Sequence, residues 1–283
     1  MHLINYILDW LRRCNISLST SLPHLATYTR ELPVSLTRMY ENALDGEHLP
    51  WLHSSSFARL EIIEQGHWGW RAKANLHPIS FMTRMELELR LDRDKNRWIT
   101  KTISGLGKGT EVWTHAIPID DNKIKIIVDF YIPKLPHLLK STYAKYYLDT
   151  YAKLYDEDLW MMATRQHELD RIEQGKDIKP VDQLNLGKKE DIEKTLPLDF
   201  SFNNHPYRLL KHKDELLVHS TSCPHMLGPL TKVANEQGII ECPWHGYQFD
   251  VRTRECTQGG KCKLAPAPRL TIEKTENNII ISR

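Results

Sequence analysis

Three stretches of the sequence concentrate residues that bind metals or move protons. Residues 41–53 read ENALDGEHLPWLH and set Asp45, His48 and His53 at spacings of three and five. Residues 223–230 (CPHMLGPL) and 242–250 (CPWHGYQFD) give C-x-H, sixteen residues, then C-x-x-H. Between these regions lies YDEDLWMMATRQ, with Asp156, Glu157 and Asp158 in a row. Two thiolates and two imidazoles on two short loops suit iron–sulfur chemistry or zinc, because both are held by soft thiolates. Zinc ligand pairs usually read C-x2–4-C and H-x3–5-H, whereas each loop here mixes Cys with His, which weighs against zinc.

Mixed Cys/His ligation is the arrangement of a Rieske centre. One iron of a [2Fe–2S] cluster takes two Cys and the other two His, and neutral imidazole in place of thiolate raises the reduction potential. Both loops closely resemble the cluster loops of the Rieske family, and LAPAP at 264–268 resembles the proline-containing segment that covers the cluster. The resemblance implies that Cys223 and Cys242 bind one iron and His225 and His245 the other. Cys256 and Cys262 lie outside the loops and are spare thiols by default.

In the first stretch, Asp45 and His48 at i, i+3 are neighbours on a helix. Pro50 disfavours helical geometry at Leu49, and the resulting bend can turn His53 back beside His48. Two His near a Pro are also common as surface or capping residues. With cluster loops in the same chain, however, the stretch resembles the mononuclear-iron motif of Rieske non-haem iron oxygenases, including its Glu41–Asn42 start and Asp45. In that family two His and one carboxylate form a facial triad on Fe(II) and leave positions open for O2. His48 and His53 match the imidazoles, and Asp158 matches the carboxylate. Asp158 also continues the apolar stripe of Tyr151, Leu154 and Met161, where a carboxylate is costly unless paired or metal-bound. An exposed acidic patch is the alternative, and Glu157 is the fallback ligand. Asp45 is spaced to accept a hydrogen bond from the far nitrogen of His48. The resemblance adds a link from Asp45 to the cluster ligand His245, usually of a neighbouring subunit. A simple helix cap is the other reading of Asp45.

The elements that must position these residues are of two kinds. FARLEIIEQG, FMTRMELELRL, RWITKTIS, EVWTHAIPI and KIKIIVDFYI, all within 57–132, alternate apolar positions and predict strands, with turns at RDKN and DDNK. From Ser141 to Ile172 there is no Gly or Pro, and the apolar spacing predicts one long helix. The pattern predicts an α+β domain over residues 1–175, a curved antiparallel sheet gripping a helix in helix-grip (Bet v 1/START-like) manner. The polar stretch EQGKDIKPVDQLNLGKK reads as a linker. Short strand-like segments then predict a small all-β domain over 182–283. Relative to the resembling family the order is reversed, with the iron motif first and the cluster motif last.

Composition excludes several classes. The chain has 283 residues, a formal net charge of +2 and no block of like charge, so nucleic acid is not an implied partner. No apolar run spans a bilayer, and MHLINYILDWLRRCNISL is a poor secretory signal, so a cytoplasmic location is expected. That segment has helical spacing, either to pack on its own domain or a subunit neighbour, or to lie on a membrane or partner. An odd count of five Cys argues against a disulfide scaffold. No G-x-G-x-x-G is present, so electrons should come from a separate NAD(P)H-linked reductase or ferredoxin. The resemblance implies an oxygenase that hydroxylates, dihydroxylates, demethylates or desaturates an apolar or aromatic small molecule. It also implies a head-to-tail homo-oligomer, a trimer. The cavity walls are expected at 68–70, 111–115 and 160–162. The rival reading is a Rieske electron carrier fused to a hydrophobe-binding helix-grip module without a second iron.

Overall fold

A computed structural model describes residues 21–283 apart from 79, 81, 274 and 275. The N-terminal amphipathic segment and Cys14 therefore lie outside the described residues. Contacts divide the chain into two compact units, Met1–Met162 and Ala163–Arg283.

In the first unit a seven-stranded antiparallel sheet runs in the order β1-β7-β6-β5-β4-β3-β2. Its strands are β1 His24–Leu32, β2 Phe57–Gly66, β3 Gly69–Leu76, β4 Met85–Asp92, β5 Arg97–Gly105, β6 Glu111–Asp120 and β7 Lys123–Tyr131. Strict alternation makes β7 the clearest case: Ile124, Ile126, Val128 and Phe130 are fully buried while their neighbours face outward. The helix α3, Lys140–Gly175, closes the concave face, with Tyr147 and Tyr151 packed on the Phe130 ring. This is the expected helix-grip fold. Between the two edge strands the chain inserts α1 (Leu36–Leu44) and the one-turn α2 (Leu49–Leu52).

Two strands of this unit escaped the sequence pattern, β1 and β3. In β3 the core-facing residues are Trp70, Ala72 and Ala74, and Ala is a poor strand former that blurs the alternating pattern.

The second unit carries three three-stranded sheets, β11-β10-β9, β12-β13-β14 and β15-β16-β8. Their strands are β8 Gln183–Lys188, β9 Leu198–Phe202, β10 His205–His212, β11 Glu215–Ser220, β12 Ile239–Glu241, β13 Gln248–Asp250, β14 Cys256–Gln258, β15 Arg269–Ile272 and β16 Asn278–Ser282. A short helix, α4 Lys189–Thr195, follows β8. The predicted linker is thus shorter than expected: α3 continues to Gly175, and Gln183–Lys188 pairs with β16 at a sheet edge. Phe202, Leu209, Val218, Ile279 and Ile281 form a small core.

Candidate functional site

Ser35 caps α1 by accepting from the Arg38 backbone N–H, and the helix ends at Asp45. Trp70 in β3 donates its indole N–H to the Ala43 carbonyl at 3.0 Å, fixing this end against the sheet. His48 and His53 flank α2. Pro50 does not break that turn as the sequence suggested. It sits in the first turn, where its missing N–H has no helical partner to lose. The chain leaves helical geometry only at His53, with φ −97° and ψ 36°, and this exit brings the two rings to 5.1 Å between centroids.

The third group arrives from α3. Successive residues turn by about 100° along a helix, so the acidic run splits three ways. Asp156 points out and pairs with Arg30 at 2.6 Å. Asp158 is buried, with Oδ1 at 3.1 Å from His53 Nε2 and 3.4 Å from His48 Nε2. Glu157 does not enter the centre as a fallback ligand would. It meets the far side of His53, Oε2 to Nδ1 at 2.6 Å. Asp45 stands in the matching place behind His48, Oδ2 to Nδ1 at 3.5 Å. Asn42, one turn before Asp45, donates to Asp158 Oδ1 at 2.8 Å.

His48, His53 and Asp158 are all buried, and one ligand atom from each lies within 4.8 Å of the others. Donors about 2.1 Å from a metal ion, at angles between square and tetrahedral, lie about 3.0–3.4 Å apart, the spacing observed from Asp158 to each imidazole. Each ring turns one nitrogen inward and the other to a carboxylate, which is how metal-binding imidazoles are held. Burial works against charge on His48, yet hydrogen bonds to Asp158 and Asp45 raise its pKa to about 10. Burial opposes ionisation of Asp158 too, but His48 and His53 hold it well below the usual carboxylate range. Three carboxylates around two imidazoles are an excess of negative charge in a buried place, which a divalent cation would offset. The residues present therefore fit a mononuclear metal ion.

The triad forms part of the wall of a cavity of about 780 Å³. The expected walls are partly right. Trp70, Val112 and Thr114 line it, whereas Trp68 and Trp113 are buried elsewhere and Trp160 faces solvent. The sequence missed the main lining, a row of tyrosines on α3 (Tyr143, Tyr146, Tyr147, Tyr151 and Tyr155). Their spacing of three and four was the available signal.

The second unit holds the Cys/His loops. They fold alike. In each, the residue four after Cys donates its N–H to the Cys carbonyl (Leu227 to Cys223 at 2.8 Å, Gly246 to Cys242 at 2.9 Å). In each, the Cys N–H donates to the carbonyl five residues on, Gly228 or Tyr247, at 2.8 Å. The loops meet so closely that a Cβ on Gly228 would lie 2.9 Å from Cys242 Sγ and from the Trp244 ring. His225 and His245 come together at 4.6 Å between centroids. Cys223 and Cys242 are buried side by side. A hydrogen bond from Cys223 pulls the Cys242 thiol down to about 5 against the effect of burial, with His245 helping. The same bond and burial drive Cys223 up, because two adjacent thiols resist ionising together. A group that takes both as thiolates fits this donor set. Tyr247, which the sequence reading left out, stacks on His225 at 4.4 Å and rests on Gly259 and Gly260. Arg165 of α3 donates to the Met226 carbonyl at 3.2 Å, bracing the first loop.

Residues 182–272 match the Rieske [2Fe-2S] domain. The chain therefore combines a helix-grip domain with a Rieske domain, and the Rieske domain implies a [2Fe–2S] cluster. Among solved structures the chain is similar to norcoclaurine synthase from Thalictrum flavum, at 18% identity and a TM-score of 0.41 over 53% of this chain and 96% of that one. It is also similar to a START superfamily protein from Mycobacterium smegmatis, at 17% identity and a TM-score of 0.38 over 46% of this chain and 93% of that one. No curated protein matches it. No helix among the described residues is long and apolar enough to cross a membrane.

Proposed function

We propose that the chain is a Rieske-type oxygenase that oxidises an apolar or aromatic small molecule with O2. The observation that carries this reading is the convergence of His48, His53 and Asp158 on the wall of a large apolar cavity. A Rieske domain in the same chain supplies the one-electron partner such a site needs.

His48, His53 and Asp158 would hold Fe(II), and Cys223, Cys242, His225 and His245 the cluster. When bound, these groups supply O2 activation at the open iron positions and single electrons from the cluster. The chain's own residues do the rest. Glu157 accepts from the outer ring N–H of His53, Asp45 faces the outer nitrogen of His48 at 3.5 Å, and the two carboxylates set which nitrogen of each imidazole faces inward. Asn42 holds the Asp158 carboxylate in place. Trp70, Leu87, Val112 and the α3 tyrosines surround the substrate and keep bulk water away. Asp45 also links the iron site to His245 of a neighbouring copy in a head-to-tail trimer, and a separate reductase or ferredoxin feeds the cluster.

Iron analysis with EPR tests the reading. The oxygenase contains about three iron atoms per chain, two in the cluster and one in the triad, and His53→Ala loses only the third. Two irons per chain in the wild type, with hydrophobe binding, would instead establish an electron carrier fused to a ligand-binding module.

A further inference from the structure

Of the residues that line the cavity, those exposed to solvent are Leu106, Gly107, Thr142, Tyr143 and Tyr146. They lie together. Leu106 and Gly107 belong to the β5–β6 turn, and the other three to the first turns of α3. Among the described residues, the exposed lining of the cavity is therefore gathered at this place. Tyr146 precedes Asp158 by twelve residues of helix, so the opening is about 18 Å from the triad along α3.

The surface around the opening has a distinct character. Leu138 is 88% exposed, Leu106 and Tyr146 each 56%, and Leu139 and Tyr143 about two-fifths. Scattered exposed apolar residues need no explanation, but a group of five around a cavity mouth does. Segments 103–110 and 132–148 carry Lys108, Lys134, Lys140 and Lys145 and no Asp or Glu, in a chain with 36 acidic residues. Lys145 pairs with Asp149, while Lys108, Lys134 and Lys140 stand exposed. Arg84 adds a fifth cation beside the turn, where its carbonyl accepts the Leu106 N–H.

We propose that this mouth docks on an anionic lipid bilayer, with Leu106, Leu138 and Leu139 entering the headgroup region and the lysines contacting lipid phosphates. Protruding Leu among lysines that outnumber the one neighbouring carboxylate, Asp149, is the chemistry of a bilayer surface, since apolar insertion and attraction to anionic lipid act together. Protein interfaces are depleted in Lys, whereas this surface gathers it. A mouth seated on the bilayer opens the cavity to membrane-dissolved molecules, so the substrate class is lipophilic compounds taken from the membrane. This last step rests on the proposed function, whereas the docking does not.

Co-sedimentation of the full holo-chain with sucrose-loaded vesicles tests the docking. Neutral phosphatidylcholine vesicles are compared with vesicles containing phosphatidylglycerol. Binding is expected to the anionic vesicles, with weakening above about 0.1 M salt as charges are screened. Each lysine at such a surface contributes a factor of roughly five, so Lys134→Glu/Lys140→Glu should lower binding by well over about tenfold. Leu138→Asp should do likewise, and its high exposure leaves folding intact. His53→Ala should bind vesicles as the wild type does, which separates this inference from the iron assignment. No binding to anionic vesicles would overturn the proposal. Full binding by both mouth variants would also overturn it and would assign membrane contact to another part, such as residues 1–20. A change in oligomeric state in Leu138→Asp without vesicle binding by the wild type would mark the face as a contact between copies, again overturning it.

Discussion

The two candidate metal centres are assembled in opposite ways. The Rieske loops bring all four proposed ligands from positions 223 to 245, and each loop sets its own geometry through two backbone hydrogen bonds. The triad joins a one-turn helix to a carboxylate 105 positions beyond His53, on a separate element of the same unit. A site of the first kind is written locally and tolerates change elsewhere in its unit. A site of the second kind depends on the register of α3 against the sheet, and outer groups such as Asn42, Asp45 and Glu157 must complete it.

The largest effect expected from this comparison is loss of one centre with survival of the other. Cys223→Ser or His245→Cys should abolish or transform the Rieske visible and EPR spectra, while the helix-grip unit still binds one Fe(II). Wild-type EPR in both variants would remove the basis for the cluster assignment. Conversely, His48→Ala, His53→Ala or Asp158→Ala should keep the cluster spectrum and lose the third iron. Fe(II) lies low in the affinity order of divalent metals, so two remaining ligands hold it poorly. Should Glu157→Ala lose the iron and Asp158→Ala keep it, the carboxylate has been assigned to the wrong position.

The same contrast governs what could be read from the sequence. The Cys/His loops were legible because their chemistry and geometry are contained in two short strings. The fold class was legible because β7 alternates strictly and α3 runs long without Gly or Pro. The carboxylate needed the helix phase of 156–158, and the stripe through Leu154 and Met161 supplied it. Glu157 behind His53 was not legible, because nothing local says that α3 passes the outer side of that ring. Strand β3 was missed because its buried Ala72 and Ala74 carry little strand preference. Strand β8 was missed because QLNLGK is a polar edge whose pairing with β16 is settled about a hundred residues away.

Groups behind the imidazoles come next in size. Losing such a partner typically costs about 10–100-fold in metal affinity or activity. Glu157→Gln should weaken Fe(II) binding by about that factor and leave the cluster untouched, as metal titration with cluster EPR would show. Asp45→Asn should differ if Asp45 also links the two centres. It should keep both centres and a reducible cluster, yet slow cluster reoxidation when reduced protein meets O2 and substrate in a single turnover. Near-normal reoxidation would leave Asp45 as a support for His48 alone, equivalent to Glu157 behind His53.

The smallest effect lies inside the cluster loops, where near-symmetry breaks at one residue. The fourth residue after each Cys takes a left-handed backbone, φ 63° at Leu227 and 66° at Gly246. For a residue with a Cβ this conformation costs about 1–2 kcal/mol, and for Gly almost nothing. Leu227 accepts that cost in the first loop, with its side chain half-buried to offset part of it. Gly246→Ala introduces the cost without the compensation, since a methyl adds little buried area. It should lower stability by about 1 kcal/mol, a fall of a few degrees in the temperature at which the cluster absorption is lost on heating. Leu227→Gly relieves the strain and loses the packing, so its shift should be smaller and of either sign. An unchanged midpoint for Gly246→Ala would mean that the second loop can relax away from the left-handed turn. The two loops would then differ in rigidity as well as in sequence, and the locally written centre would prove less self-sufficient than its hydrogen bonds imply.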